Sequence, residues 1–227
     1  MYQLAMDTSN QALSLAVLKD QDILGQISLT IKKNHSITLM PAIDYLMQSL
    51  DLNPTDLNRI VVAQGPGSYT GLRIAVATAK TLAATLKIEL VGMSSLLALV
   101  PEKTEGLVVP IIDARRNNVY AGYYQNDEAQ APEAHQPFEQ VLADIADAPQ
   151  VTFVGETATF EAQIREARPD ARIQPTFPDA GRLAILASRK TANPIHSFEP
   201  NYLKRVEAEE NWLKDHQESG QNYIKRL

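Results

Sequence analysis

Gly65-Pro66-Gly67-Ser68-Tyr69-Thr70-Gly71-Leu72-Arg73 lies between an apolar run, Ile60 to Ala63, and an alanine-rich stretch, Ile74 to Leu86. That order predicts a buried strand, a tight turn and a helix. Glycine lets backbone N–H groups face an anion, and a helix N-terminus adds a favourable dipole, so such a turn can cradle phosphate. The same residues can instead close a turn and cap a helix. The spacing favours the second. A P-loop needs Gly-x-x-x-x-Gly-Lys-Ser/Thr, which the segment does not match, and Arg73 does not replace the lysine. Against a dinucleotide fingerprint it has one residue too many between its second and third glycines, and it does not sit in an opening βαβ unit.

Upstream, Tyr2 to Met6, Ala12 to Lys19 and Ile23 to Leu29 read as three strands joined by short turns, an antiparallel meander. A helix is predicted over Ser36 to Leu50, where Leu39, Ile43, Leu46 and Leu50 recur at helical spacing. Met40 and Met47 widen its apolar arc, and Pro41 belongs near its first turn or else bends it. The helix after the glycine turn spans about Thr70 to Leu86. Leu72, Ala75, Val76, Ala79, Leu82, Ala83 and Leu86 form one face; Ile74, Ala77, Thr81 and Ala84 form the opposite one, nearly without charge. A helix apolar on both sides is deep in a domain or covered by another molecule.

Downstream, Val91-Gly92-Met93 ends a strand, Ser94-Ser95 caps a brief helix up to Pro101, and Pro101 to Gly106 looks like a linker. It suggests an N-terminal unit over 1–102 and a smaller C-terminal αβ unit over 103–227. In the second unit Leu107 to Asp113, Asn118 to Tyr124 and Val151 to Gly155 are strands, Gln125 to Gln136 a polar surface loop, and Asp179 to Lys190 a helix. A highly charged tail follows Lys204, and no internal repeat is visible.

The 227 residues carry a net charge of −6, which disfavours a broad basic surface gripping nucleic acid unaided. The absence of cysteine removes disulfides, thiol nucleophiles and thiolate metal sites. Met1 to Asn10 has no signal-peptide pattern, and the most apolar region, Leu82 to Val100, is interrupted by Lys87 and Glu89. A soluble cytoplasmic protein without membrane contact is the expectation.

Asp7-Thr8-Ser9 after the first strand can hold Mg²⁺ and a phosphate, or can simply close a turn by side-chain hydrogen bonds. His35 has Leu39 rather than a second histidine four residues on, so the pair of imidazoles that would bind metal on one helix face is missing. His135, His196 and His216 have no partner at ligand spacing, and no metal site is expected. Arg115-Arg116 can meet RNA phosphate or a partner's carboxylate, or form a solvated turn; Lys204-Arg205 and Lys225-Arg226 read as surface.

Taken together, Asp7-Thr8-Ser9, His35-Ser36, the 65–73 segment and Pro200-Asn201-Tyr202-Leu203 resemble the TsaB family of tRNA threonylcarbamoyladenosine biosynthesis proteins over essentially the whole chain. The 65–73 segment is specific and the others are weak alone. The resemblance implies an α/β chain of actin-like ATPase (ASKHA) architecture, with two ribonuclease-H-like lobes of mixed sheets. It implies a non-catalytic scaffold that pairs with the catalytic paralogue TsaD and the ATPase TsaE. That complex forms N6-threonylcarbamoyladenosine next to the anticodon of tRNAs reading codons that begin with A, so tRNA is met through the complex. A homodimer is expected when the chain is alone. The implied partner-binding residues are Leu39, Met40, Ile43, Met47, Ile74, Ala77, Thr81 and Ala84. Asp7, Thr8, Gly65, Gly67, Ser68, Thr70, Gly71 and Arg73 are expected to build the turn, or to touch ATP or ADP shared with a partner. The alternatives are an autonomous ATP-dependent phosphotransferase using Asp7 and the 65–71 turn, or a metallopeptidase-like protein.

Overall fold

In a computed structural model, which describes residues 1–30 and 35–204, two five-stranded mixed sheets share one topology. Strands β1 (Tyr2–Asp7), β2 (Leu13–Lys19) and β3 (Asp22–Leu29) form the antiparallel meander, and β4 (Leu57–Gly65) and β5 (Glu89–Ser94) add in parallel beside β1. The central strands β1 and β4 are covered on both faces, which explains their nearly continuous apolar runs.

Helices α1 (His35–Ser49) and α2 (Tyr69–Leu86) lie on one face of this sheet. α1 turns Leu39, Ala42, Ile43, Leu46 and Met47 inward, and Pro41 sits inside the helix. This corrects part of the expected partner surface. Leu39, Ile43 and Met47 are only 1%, 6% and 4% exposed, because the row they form is the one that meets the first sheet; of the expected α1 contacts only Met40 faces outward. α2 buries Leu72, Ala75, Val76, Ala79 and Ala83, and leaves Ala77, Thr81 and Ala84 exposed with Ile74 half-buried.

In the second sheet, β6 (Leu107–Asp113), β7 (Asn118–Gln125) and β8 (Glu128–Pro137) repeat the meander, and β9 (Val151–Gly155) and β10 (Arg172–Pro175) repeat the parallel pair. Read from its β8 edge, its strand order β8-β7-β6-β9-β10 matches β3-β2-β1-β4-β5 position for position. α3 (Phe138–Asp144) and α4 (Glu161–Ala167) cover one face around Phe138, Phe153 and Phe160. β8 replaces the polar loop expected over 125–136. It is an edge strand with polar residues on both sides and Pro132 within it, so no period-two alternation marks it.

The chain then returns to the first sheet. α5 (Ala180–Ala187) lays Ala180, Leu183, Ala184 and Ala187 on Ala5, Ala16, Val61 and Ala63 of the face opposite α1 and α2. Small residues on both sides allow close approach of helix and strands. A strap follows: Asn193 N–H donates to Leu90 O at 2.7 Å, Gly92 N–H donates to Asn193 Oδ1 at 2.8 Å, and Phe198 enters the first core at 5% exposure. Residues 180–202 of the expected second unit therefore complete the first. The charged tail, with Arg205, His216 and Lys225-Arg226, lies outside the described residues. Among the described residues no helix is long and apolar enough to cross a membrane.

Candidate functional site

The carboxyl ends of β1 and β6 face each other across a cleft of about 380 Å³, lined by Ser9, Gln11, Gly67, Asp113, Arg115 and Glu156 among others. Open α/β sheets bind ligands at such ends, so this is where a nucleotide would have to fit. The local chemistry does not provide a phosphate cradle. A Cβ on Gly67 would overlap the Ser9 carbonyl oxygen, and one on Gly71 would overlap that of Thr8. The glycines thus let two turns of the protein touch, rather than let a ligand approach. Several polar groups of the turn are likewise engaged: Ser68 N–H donates to Ser9 O at 2.6 Å, Gly65 N–H to Ser95 Oγ at 3.1 Å, and Thr8 Oγ1 to Gly71 O at 2.7 Å. Ser68 caps α2, accepting from Gly71 N–H at 3.3 Å.

Asp7 is fully buried beneath this junction. Its Oδ1 accepts the Ser9 N–H at 2.7 Å, while Oδ2 has no partner. Loss of hydration dominates and raises its pKa from 3.8 to about 6; the Ser9 hydrogen bonds and the nearby His35 oppose the shift without cancelling it. A carboxylate enclosed in this way is a poor ligand for Mg²⁺ in the cleft. His35 Nε2 lies 3.0 Å from Asn10 O and holds the first turn of α1 to the same loop.

Glu156, which sequence reasoning missed, joins the two lobes. Its Oε2 accepts the Asp113 N–H at 2.9 Å, and the backbone N–H of Gln11 also faces the carboxylate. Burial and the neighbouring Asp113 push its pKa up, and the two backbone donors hold it down. It adds a carboxylate to the lining of the cleft. Arg115 and Arg116 form a turn with φ of 72° and 52°, and Arg115 is largely solvated with Asp113 4.0 Å away.

The strap closes over the start of α2. Asn201 N–H donates to Gln64 O at 2.7 Å, and a Cβ on Gly65 would overlap the Asn201 carbonyl. Arg73 stacks 4.4 Å from the Tyr69 ring centre and donates to Tyr202 Oη at 3.1 Å, and the two tyrosine rings lie 5.0 Å apart. Lys80 donates to His196 O and Phe198 O at 3.1 and 2.7 Å. Arg73 and Lys80 are thereby drawn toward the strap, and the rest of the outward arc of α2, between and beside them, is uncharged: Thr70, Ile74, Ala77, Thr81 and Ala84. On the same side of the sheet, α1 exposes Ile37 (64%), Met40 (49%) and Tyr45 (68%). Ile37 and Tyr45 fall outside the row of leucines that marks the helix: Ile37 precedes the buried stripe, and Tyr45 lies on the helix face away from it.

The sequence model of the family described as "TsaD: tRNA N6-adenosine threonylcarbamoyltransferase" matches residues 22–212. The chain is 38% identical to the "tRNA threonylcarbamoyladenosine biosynthesis protein TsaB" of Bacillus subtilis, covering 93% of this chain and 97% of that one. Two solved structures from Pseudomonas aeruginosa are similar. One, "YeaZ", is 27% identical with a TM-score of 0.75; the other, an uncharacterized protein "with similarity to peptidase YEAZ", is 29% identical with a TM-score of 0.77. Each covers 89% of this chain and 99% of its own. The fold is of the actin-like ATPase type.

Proposed function

The chain belongs to the TsaB family of tRNA threonylcarbamoyladenosine biosynthesis proteins, and from that premise we propose that it is a non-catalytic scaffold that pairs with the TsaD paralogue and works with the ATPase TsaE. The observation that carries the proposal is the uncharged outer flank of α2, Ala77, Thr81 and Ala84, beside Ile37, Met40 and Tyr45 of α1. Small residues permit close helix approach, while the larger ones add apolar area at the edge of the contact. A paralogue of the same fold has helices in the equivalent place, so the two chains can pair helix to helix about a pseudo-two-fold axis. A second copy of this chain can take the same position when the paralogue is absent.

A supporting role rather than an autonomous ATPase is favoured by the filled glycine turn, the enclosed Asp7 and the carboxylate of Glu156 in the cleft. Any ATP or ADP is then met at a surface shared with a partner, and tRNA through the complex. Two measurements test this. In a reconstituted assay, transfer of the threonylcarbamoyl group to tRNA by TsaD and TsaE should require this chain. Calorimetry of the isolated chain with Mg-ATP should show no saturable binding; tight binding that disappears in Asp7→Ala would favour the phosphotransferase alternative instead.

A further inference from the structure

The rim of the cleft between the lobes carries side chains that the scaffold proposal leaves unused. Arg115 and Arg116 stand on the hairpin turn between β6 and β7, where Asn118 N–H donates to Arg115 O at 3.0 Å and Arg115, Arg116 and Asn117 all have positive φ. Turns of this shape favour glycine, asparagine and aspartate, and a left-handed backbone is costly for a side chain as bulky as that of arginine. The turn itself gives no reason for two arginines, and a local preference overridden on the surface points to work for the side chains. Both are exposed, the Arg115 side chain to 86%.

Across the cleft, Tyr69 lines the wall of the first lobe and Tyr202 of the strap lies against it, at 41% and 39% exposure. Arg73 holds both rings, stacked on Tyr69 and bonded to Tyr202 Oη, so they are ordered yet open to solvent. Lys204 joins the same lining. The nearby carboxylates are tied to amide donors of the protein. Asp113 Oδ1 accepts the Arg115 N–H at 2.7 Å, Glu156 Oε2 accepts the Asp113 N–H, and Glu139 accepts from Asn117 Nδ2 at 2.5 Å. Arg73, Arg115, Arg116 and Lys204 outnumber them.

Unpaired RNA is held by cations on its phosphates and by bases stacked on aromatic rings. A chain of net charge −6 attracts a polyanion only where basic residues cluster. We propose that this rim is an RNA-contact surface: Arg115, Arg116 and Lys204 meet phosphates of an RNA loop, while Tyr69 and Tyr202 stack against its unpaired bases. No backbone cradle is needed, because side chains meet the phosphates. The proposal rests on the reading that the chain acts in tRNA modification with the TsaD paralogue. Tyr69 and Arg73 open α2, so the rim adjoins the uncharged flank and RNA held by the paired protein can reach it.

The test is fluorescence anisotropy with a labelled tRNA anticodon stem–loop, and with a duplex of the same stem as control, on the complex with the paralogue and on the chain alone over a series of salt concentrations. Arg115→Asn with Arg116→Asn suits the turn and should not lower Tm. It should weaken binding of both RNAs and reduce the salt slope by about 1 to 2. Tyr69→Ala with Tyr202→Ala, checked for folding by Tm, should weaken the stem–loop at least about fivefold and leave the duplex unchanged. Size-exclusion chromatography of the same samples reads pairing separately. A wild-type chain that does not pair refutes the scaffold reading, and the RNA measurement is then decided on the chain alone. The proposal is overturned if neither sample binds the stem–loop, if the folded variants keep wild-type affinity and salt slope, or if the tyrosine variant loses duplex and stem–loop alike. It is also overturned if the asparagine variant loses the paralogue rather than the RNA, which would make the rim a protein interface.

Discussion

Gly71→Ala separates two accounts of the glycine-rich turn because they predict opposite signs. Gly71 is in the first turn of α2, where alanine is the better helix former by about 1 kcal/mol. If the position were open, the substitution would stabilise the protein. Here the new Cβ would overlap the Thr8 carbonyl oxygen, a backbone atom that cannot swing aside. Overpacking of this kind costs about 1–3 kcal/mol, and rigid backbone places it near the upper end. Separating the two turns also strains the buried Thr8 Oγ1–Gly71 O bond of 2.7 Å, at about 1 kcal/mol. The sum, less the gain in helix propensity, is a net loss of about 3 kcal/mol. For a chain of this length that is a fall in Tm of roughly 6–12 °C. Thermal and urea denaturation followed by circular dichroism measure it directly. A variant as stable as the wild type, or more so, would refute the claim that the glycines serve contact between turns.

Asp7→Asn should change the pH dependence of stability. A carboxyl raised from 3.8 to about 6 binds its proton more tightly in the folded state. It therefore favours folding fully below about pH 3.8 and loses that advantage as pH rises through about 6, a change on the order of 3 kcal/mol. Urea denaturation should show Asp7→Asn gaining on the wild type as pH rises from 4 to 7; a constant difference would contradict the burial argument. Phe198→Ala should lower stability by about 3–5 kcal/mol, since this ring from the strap is buried in the first core, and limited proteolysis should then cut within 193–202. An unchanged proteolytic pattern would mean that the strap is held elsewhere.

Much of the first lobe was legible because its elements follow one period at a time. The meander reads from alternating residues and paired turns, and α1 and α2 from rows spaced three and four apart; α1 begins at His35 and α2 at Tyr69, within a residue of expectation. The face of α2 that packs was not legible. Ala75, Ala79 and Ala83 point inward while Ala77 and Ala84 point outward, and a helix of similar small residues all round carries little directional signal. On α1 the larger side chains are the inward ones, so reading Leu39, Ile43 and Met47 as partner contacts was misplaced. Glu156 and Phe198 act through contacts with residues distant in sequence, Gln11 for one and Gly92 for the other. No local pattern announces such contacts. The repeat between the lobes was hidden for a similar reason: topology needs equivalent periods, not equivalent residues.

The central claim is that the uncharged flank of α2 is the pairing face. Ala77 is exposed in the isolated chain, so Ala77→Glu, one turn from Arg73 and Lys80, should leave its circular dichroism and Tm nearly unchanged while placing a larger, charged side chain in a close helix contact. The account predicts that wild-type chain and TsaD paralogue co-elute as one complex on size-exclusion chromatography, and that Ala77→Glu elutes apart from it. Co-elution of the folded variant with the paralogue at wild-type affinity would contradict the claim.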